Sequence, residues 1–281
     1  MALYQIVLLA CVQGLAELLP VSSSAHVIVA EKLMGLDPSS PEMVLFLLML
    51  HTGTMLAVLA YFWKDWKGTY FQSSFKGRAF VSQVLLASLT TGILGFGLKY
   101  LIEKVILKAT PNAEVEMLFG NTKLISTALV FTGLLILFAS TREKKILSEK
   151  GLGPRESIWI GLVQGLCLPF RGLSRSGSTI STGMLLRVPK PKSEDFSFAL
   201  ALVITGPLLL KEAHRLVKAH AFSGMGAAQT ARLFYPGLLG MVFSFAAGLL
   251  ALNWLSSWLS RGRWKWFGYY CLAFAALVWF L

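Results

Sequence analysis

The sequence predicts an all-α integral membrane protein: six transmembrane helices plus two re-entrant helix-loop-helix hairpins in an inverted repeat. Three observations carry that prediction. Of 281 residues, 55% are hydrophobic and 14% charged, with a mean hydropathy of +0.65, whereas water-soluble domains carry about 25% charged residues. Six apolar runs approach the roughly 20 residues that cross a bilayer. Two further apolar segments are interrupted at their middles by polar residues, glycine and proline, and share a local motif.

The first element, 1–35, is apolar at both ends but carries Gln13, Glu17, Pro20, Ser22, Ser23, Ser24 and His26 between them. Non-helical backbone at membrane depth persists only inside protein or against a water-filled cavity, so this segment reads as a re-entrant hairpin with a polar tip. Runs 43–62, 79–101 and 122–139 are apolar spans that complete a first repeat over 1–139. The next element, 156–188, is broken by Gln164, Pro169, Arg171, Ser174, Arg175, Ser176 and Ser178. Its Val163-Gln164-Gly165-Leu166 echoes Val12-Gln13-Gly14-Leu15, and each copy precedes a proline and a serine-rich tip. Spans 195–212, 234–258 and 264–281 close a second repeat over 156–281, so residues 1–281 form a single membrane domain. A hairpin returns to the face it enters from, and three spans cross an odd number of times. The second hairpin therefore enters from the opposite face, and the two tips meet near the midplane.

Lys and Arg outnumber Asp and Glu by 26 to 14, a net +12. In a soluble chain that excess suggests nucleic acid; here it falls in the loops between spans, and no nucleic-acid partner is expected. Fifteen of these cations, among them Lys64, Arg78, Lys144, Lys145, Lys150 and Arg261, lie on one side and nine, among them Lys32, Lys99, Lys218 and Arg232, on the other. The bias puts the larger set in the cytoplasm, and both termini and the first hairpin on the outer face. Cys11, Cys167 and Cys271 are odd in number and lack paired spacing, which excludes a disulfide framework and a zinc site. The apolar run 6–12 has no positive residue before it, so no cleaved signal peptide is expected.

Ionisable groups at membrane depth cost about 2.5–3.5 kcal/mol each on insertion scales and so mark function by default. Gln13 and Glu17, four apart on one helix face, suit joint oxygen coordination of a hard cation, or alternatively helix pairing. Ser22, Ser23 and Ser24 lie two to four residues before His26, the spacing of a nucleophile and its base, although serines there also suit a helix cap. The second tip, Gly172 to Thr179, combines glycine, four hydroxyls and Arg175 directly before an apolar helix. Backbone amides at a helix start and an arginine fork both favour phosphate oxygens, so Arg171, Ser174, Ser176, Gly177 and Thr179, with Ser22 and Ser24 opposite, form a phosphate cradle. His51 reads as a packed or hydrogen-bonded interior residue, and His214 and His220 as loop residues without a constellation.

Gln13 to His26, read as Gln-Gly-Leu-Ala-Glu-Leu-Leu-Pro-Val-Ser-Ser-Ser-Ala-His, resembles the first signature of the undecaprenyl-diphosphate phosphatase (bacitracin-resistance) family. Gly172 to Thr179 resembles its second, and the likeness extends through His51-Thr52-Gly53-Thr54 and Phe196-Ser197-Phe198. The resemblance implies a metal-dependent phosphatase of the bacterial inner membrane that converts undecaprenyl diphosphate to undecaprenyl phosphate and inorganic phosphate. It implies a divalent cation, Mg2+ or Ca2+, held by Glu17 and Gln13, the latter standing where many members carry a second glutamate. By position Glu17 is the key acidic residue, Ser23 a nucleophile, His26 the family histidine and Arg175 the phosphate-binding arginine. Either Ser23 attacks phosphorus with His26 as base, or His26 activates a water. The chain departs from the family at Pro169-Phe170-Arg171-Gly172, where Arg171 adds a cation near the site, and at Ala25, where a glycine is usual. The rival reading is a transporter or flippase of prenyl phosphate lipids, since broken helices in inverted repeats are common in carriers. Membrane lipid is the expected surrounding, and the glycine-rich spans are compatible with a homodimer.

Overall fold

A computed structural model describes residues 1–37, 40–108, 115–142, 151–218 and 227–281. Lys144, Lys145, Lys150, His220 and the side chain of Arg232 lie outside the described residues. Among the described residues every regular element is helical.

Each interrupted segment is a pair of short helices joined by a tip. In the first, α1 (Leu3–Leu18) stops two residues before Pro20, and α2 (Ser23–Leu33) leaves the tip. The 16 and 11 residues of these helices rise about 24 and 16 Å at 1.5 Å per residue, short of a 30 Å hydrocarbon core. In the second, counted from the intervening long helices as α6 (Pro154–Cys167) and α7 (Arg175–Leu185), the break again falls at a proline, Pro169. Proline lacks the N–H a helix needs and its ring clashes with the preceding turn, which is why both helices end where they do.

Among the described residues five helices are long and apolar enough to cross a membrane: α3 (Pro41–Thr69), α4 (Ser74–Leu101), α5 (Thr122–Arg142), α8 (Lys190–Lys218) and α9 (Ala227–Ser260). A π-helical turn, Ile102–Ile106, continues α4, and a 3-10 turn, Val115–Gly120, precedes α5. The segment expected as a sixth span, 264–281, holds α10 (Lys265–Trp279), whose 15 residues rise about 22 Å. Several long helices outrun the apolar stretch that announces them. α3 continues past residue 62 through Trp63-Lys64-Asp65-Trp66-Lys67 because charged and aromatic residues sustain a helix while lowering its hydropathy.

The hairpins are seated reciprocally. Gly14 of α1 lies against α9, where an added Cβ would meet the Ser244 carbonyl and the Ala247 Cβ, each at 2.6 Å. Gly165 of α6 lies against α4, where a Cβ would come within 3.0 Å of the Thr91 carbonyl and of Leu94, and Thr91 donates its hydroxyl to the Gly161 carbonyl at 2.8 Å. Small residues let apolar helices approach closely where lipid provides no hydrophobic drive between them. The interior between the hairpins is filled by Phe62, Ile136, Ile180, Phe196, Phe198 and Trp264. The outside is apolar as well: Phe96, Ile93, Leu210 and Leu250 are each at least 66% exposed. A face of that size and character suits lipid rather than water.

Candidate active site

The two tips meet, and their charged residues meet with them. Glu17 closes the last turn of α1, Ser23 opens α2 and Arg175 opens α7. One Glu17 oxygen, Oε1, accepts from Arg175 Nη2 at 2.7 Å. The other, Oε2, accepts from the Ser23 hydroxyl at 2.5 Å and from Gln13 Nε2 at 3.3 Å. His51, from the middle of α3, brings its Nε2 to 3.8 Å of the same oxygen. The carboxylate is thus the hub of the cluster, and both members of the pair are shielded, with 11% and 17% of their side chains exposed. Charge-assisted bonds are short and strong when water is kept away.

Arg175 is only half used. Its Nη1 is buried and has no hydrogen-bond partner among the described residues. A guanidinium in that state holds an N–H ready for an anion and directed by the bond its other arm makes.

Ser22 has a φ of 69°, a left-handed conformation that costs a non-glycine residue about 1–3 kcal/mol. It gives α2 no side-chain cap. The serines therefore do not act as a simple cap: Ser22 Oγ lies 3.3 Å from Ser24 Oγ, and Ser24 accepts from the Gly172 N–H across the tips at 3.4 Å. Gly172 itself has φ 104°, and a Cβ there would collide with the Ile125 carbonyl, so only glycine closes this approach.

The rest of the expected cradle holds the tips together. Ser174 caps α7 by accepting from the Gly177 N–H at 3.2 Å, and Ser176 donates to the Leu19 carbonyl at 3.2 Å. Gly177 packs on Pro20, where a Cβ would come to 3.2 Å. Thr179 shares a 2.6 Å bond with Ser197 of α8 and donates to the Arg175 carbonyl at 2.8 Å. Arg171 lies with its guanidinium 4.3 Å from the centre of the Phe119 ring and acts electrostatically on the buried Glu31.

His26 is not joined to Ser23. Its Nδ1 lies 2.8 Å from the Ser22 carbonyl and its Nε2 2.6 Å from the Tyr270 hydroxyl, while its ring stacks on Phe274 at 3.9 Å. The hydroxyl expected beside an imidazole sits on a carboxylate instead. His51, expected as a packed or hydrogen-bonded interior residue, is hydrogen-bonded through Nδ1 to the Leu47 carbonyl at 2.8 Å; its approach to Glu17 is the part that the sequence did not announce.

For a hard cation the site offers the Glu17 carboxylate, the Gln13 amide oxygen left over when its Nε2 serves Glu17, and the serine hydroxyls. No group of three or more His, Cys, Asp or Glu side chains converges among the described residues. This donor set fits an ion such as Mg2+ that arrives with a phosphate ligand, keeps its waters and needs one or two protein carboxyl or amide oxygens.

Comparison with known proteins agrees with the geometry. Residues 6–277 match the family described as "Bacitracin resistance protein BacA". The chain is 53% identical to "Undecaprenyl-diphosphatase 2" of Acinetobacter baylyi, over 99% of this chain and 97% of that protein. It is 33% identical to "Undecaprenyl-diphosphatase" of Bacteroides fragilis, over 95% of this chain and 94% of that one. The same figure, 33%, holds for "Undecaprenyl-diphosphatase" of Parabacteroides distasonis, over 99% and 97%. A family match across the length of the chain, with both tips inside it, leaves one conclusion: the chain belongs to the bacitracin resistance protein BacA family.

Proposed function

We propose that the chain is an undecaprenyl-diphosphate phosphatase, a membrane-embedded hydrolase that cleaves the phosphoanhydride bond and recycles the lipid carrier of cell-wall synthesis. The observation that carries this reading is the meeting of Glu17, Ser23 and Arg175 at the two tips. The names of the relatives supply the substrate. The diphosphate sits between the tips with its terminal phosphate on Arg175 Nη1, while the prenyl tail stays in lipid.

The Ser23–Glu17 hydrogen bond supports Glu17 as the acceptor of the Ser23 proton in this reading. Ser23 Oγ forms a bond to the terminal phosphorus and its proton passes to Glu17 Oε2. The bond from that phosphorus to the bridging oxygen breaks, and undecaprenyl phosphate leaves. Water then attacks the phosphoserine and gives a proton to His26; the bond from phosphorus to Ser23 Oγ breaks, the proton held on Glu17 returns to Ser23, and inorganic phosphate leaves. Arg175 holds the equatorial oxygens throughout, since positioning and charge stabilisation supply most phosphoryl-transfer catalysis. Glu17 and Gln13 would hold a divalent cation, Mg2+ or Ca2+, which when bound neutralises charge on the phosphate oxygens.

The echo of Val12-Gln13-Gly14-Leu15 in Val163-Gln164-Gly165-Leu166 and the reciprocal seating of α1 on α9 and α6 on α4 support an inverted repeat of 1–139 and 156–281. With the larger cation set in the cytoplasm, the site opens to the periplasmic face of the bacterial inner membrane.

The test is inorganic phosphate release from undecaprenyl diphosphate by the purified chain in detergent, with Mg2+, with chelator, and with Arg175→Ala. Release that needs the cation and disappears in the variant is expected. Absence of release from folded protein would overturn the enzyme and leave a carrier of prenyl phosphate lipids, to be measured by flux across vesicles.

A further inference from the structure

His26 is held by a residue from the far end of the chain. Its Nδ1 faces the Ser22 carbonyl at 2.8 Å, and a carbonyl can only accept, so Nδ1 carries the ring proton. In the neutral ring Nε2 is then the acceptor, and the group facing it at 2.6 Å is the Tyr270 hydroxyl of α10, which donates. Phe274, one turn further along α10, stacks on the imidazole at 3.9 Å and 11°. The Tyr270 ring is nearly coplanar with it, tilted by 8°. The Ser22 carbonyl reaches Nδ1 from a residue with φ 69°, a strained backbone of the kind that survives where neighbours over-determine it. Three independent groups therefore fix one ring, one tautomer and one lone-pair direction. Tyr270 is 45% exposed, so the lone pair lies at the edge of the packed interior and not within it.

We propose that Tyr270 is the positioning residue for His26. It holds the imidazole as the Nδ1–H tautomer with its Nε2 lone pair on the Tyr270 hydroxyl, and it yields that hydrogen bond to the attacking water. Tyr270 touches neither phosphorus nor Glu17, so its effect runs through His26 alone. The inference rests on His26 serving as base in the proposed phosphatase, and its test separates the two.

Tyr270→Phe keeps the ring and its stacking while removing one hydroxyl. We expect kcat for phosphate release to fall about tenfold with KM unchanged, the scale of one lost net hydrogen bond. The ring 15N signals of His26 should move from the pure Nδ1–H form toward a mixture of tautomers, a readout independent of turnover that a purely structural role would not alter. His26→Ala should be crippled, and Tyr270→Phe should add nothing in that background. Overturning results are equally definite. A Tyr270→Phe enzyme with normal kcat and unmoved 15N signals, beside a crippled His26→Ala, defeats the positioning role and spares the reading of His26. Full turnover in His26→Ala defeats both.

Discussion

In the proposed site Glu17 and a phosphate oxygen compete for the same guanidinium, and that competition makes Glu17→Gln the most informative substitution. The amide keeps the size and hydrogen-bonding reach of the carboxylate but removes its charge. Arg175 and Glu17 meet at 2.7 Å with 17% and 11% of their side chains exposed, so the variant leaves Arg175 charged, largely shielded and without its carboxylate. Breaking one side of a buried pair costs about 3–5 kcal/mol. At roughly 2–4 °C per kcal/mol the unfolding midpoint should fall by about 6–20 °C. The same change frees Nη2 to join Nη1 on an anion. One added charge-assisted bond contributes about 1.5–3 kcal/mol, or roughly ten- to hundredfold in affinity. The assay is binding of a non-hydrolysable methylene-diphosphonate prenyl lipid in detergent, with chelator present so that cation binding by Glu17 does not enter. Expected are tighter binding, a midpoint lowered without ligand and restored with it, and turnover reduced by at least about a hundredfold, the scale of losing a preorganised electrostatic contact. Unchanged or weaker binding, together with turnover near the native level, would refute the competition.

Three other substitutions probe separate parts of the reasoning. Ser23→Ala should abolish turnover while leaving KM within about twofold if Ser23 is the nucleophile, because the hydroxyl matters after binding; a raised KM with residual turnover would mean a binding role. Gln13→Glu adds a second carboxylate beside Glu17 and should lower the Mg2+ concentration for half-maximal phosphate release about tenfold, read from a metal titration, since ligand charge tunes cation affinity. Gly14→Val places branched atoms against the Ser244 carbonyl and Ala247 and should lower stability by about 1–3 kcal/mol, measured by thermal unfolding, because a tight helix contact does not accommodate added volume.

What could be read from the sequence was local. Both hairpins were legible because proline, glycine and hydroxyls interrupt apolar runs at fixed places, and five of the six spans because their apolar stretches are long. The sixth expected span, 264–281, holds α10, a helix of 15 residues within that apolar run. Glu17, Ser23 and Arg175 were legible as types in two motifs. Which atoms they offer one another was not. Ser23 and His26 stand three apart on α2, close enough to suggest a hydrogen bond, yet the left-handed Ser22 directs the imidazole to its own carbonyl and to Tyr270, and leaves the hydroxyl to Glu17. His51 reaches Glu17 only because α1 and α3 both pack on α9, through Gly14 and Gly53. Thr179 was legible as a hydroxyl of the second tip, but its bond to Ser197 of α8 was not. The contacts of His26 with Tyr270, of His51 with Glu17 and of Thr179 with Ser197 join residues on separate helices that no short-range spacing relates.

The hydrogen bonds that cross between the tips explain how so exposed a chemistry persists in an apolar setting. Gly172 N–H to Ser24, Ser176 to the Leu19 carbonyl and Arg175 to Glu17 each tie one hairpin to the other. In water such bonds would exchange with solvent; between buried surfaces a lost partner leaves a polar group unsatisfied, at about 1–3 kcal/mol or more for a charge. The tips are therefore locked in register before any anion arrives, and Arg175 Nη1 is already directed. A phosphate that binds there displaces no scaffold contact. In the proposed reaction a phosphate that also takes Nη2 must break the bond to Glu17, which frees Oε1 as Ser23 needs to lose its proton. On that reading substrate binding and the proton transfer from Ser23 are coupled through one guanidinium. The Arg175–Glu17 pair would re-form as phosphate leaves, so the resting contact also opposes retention of product.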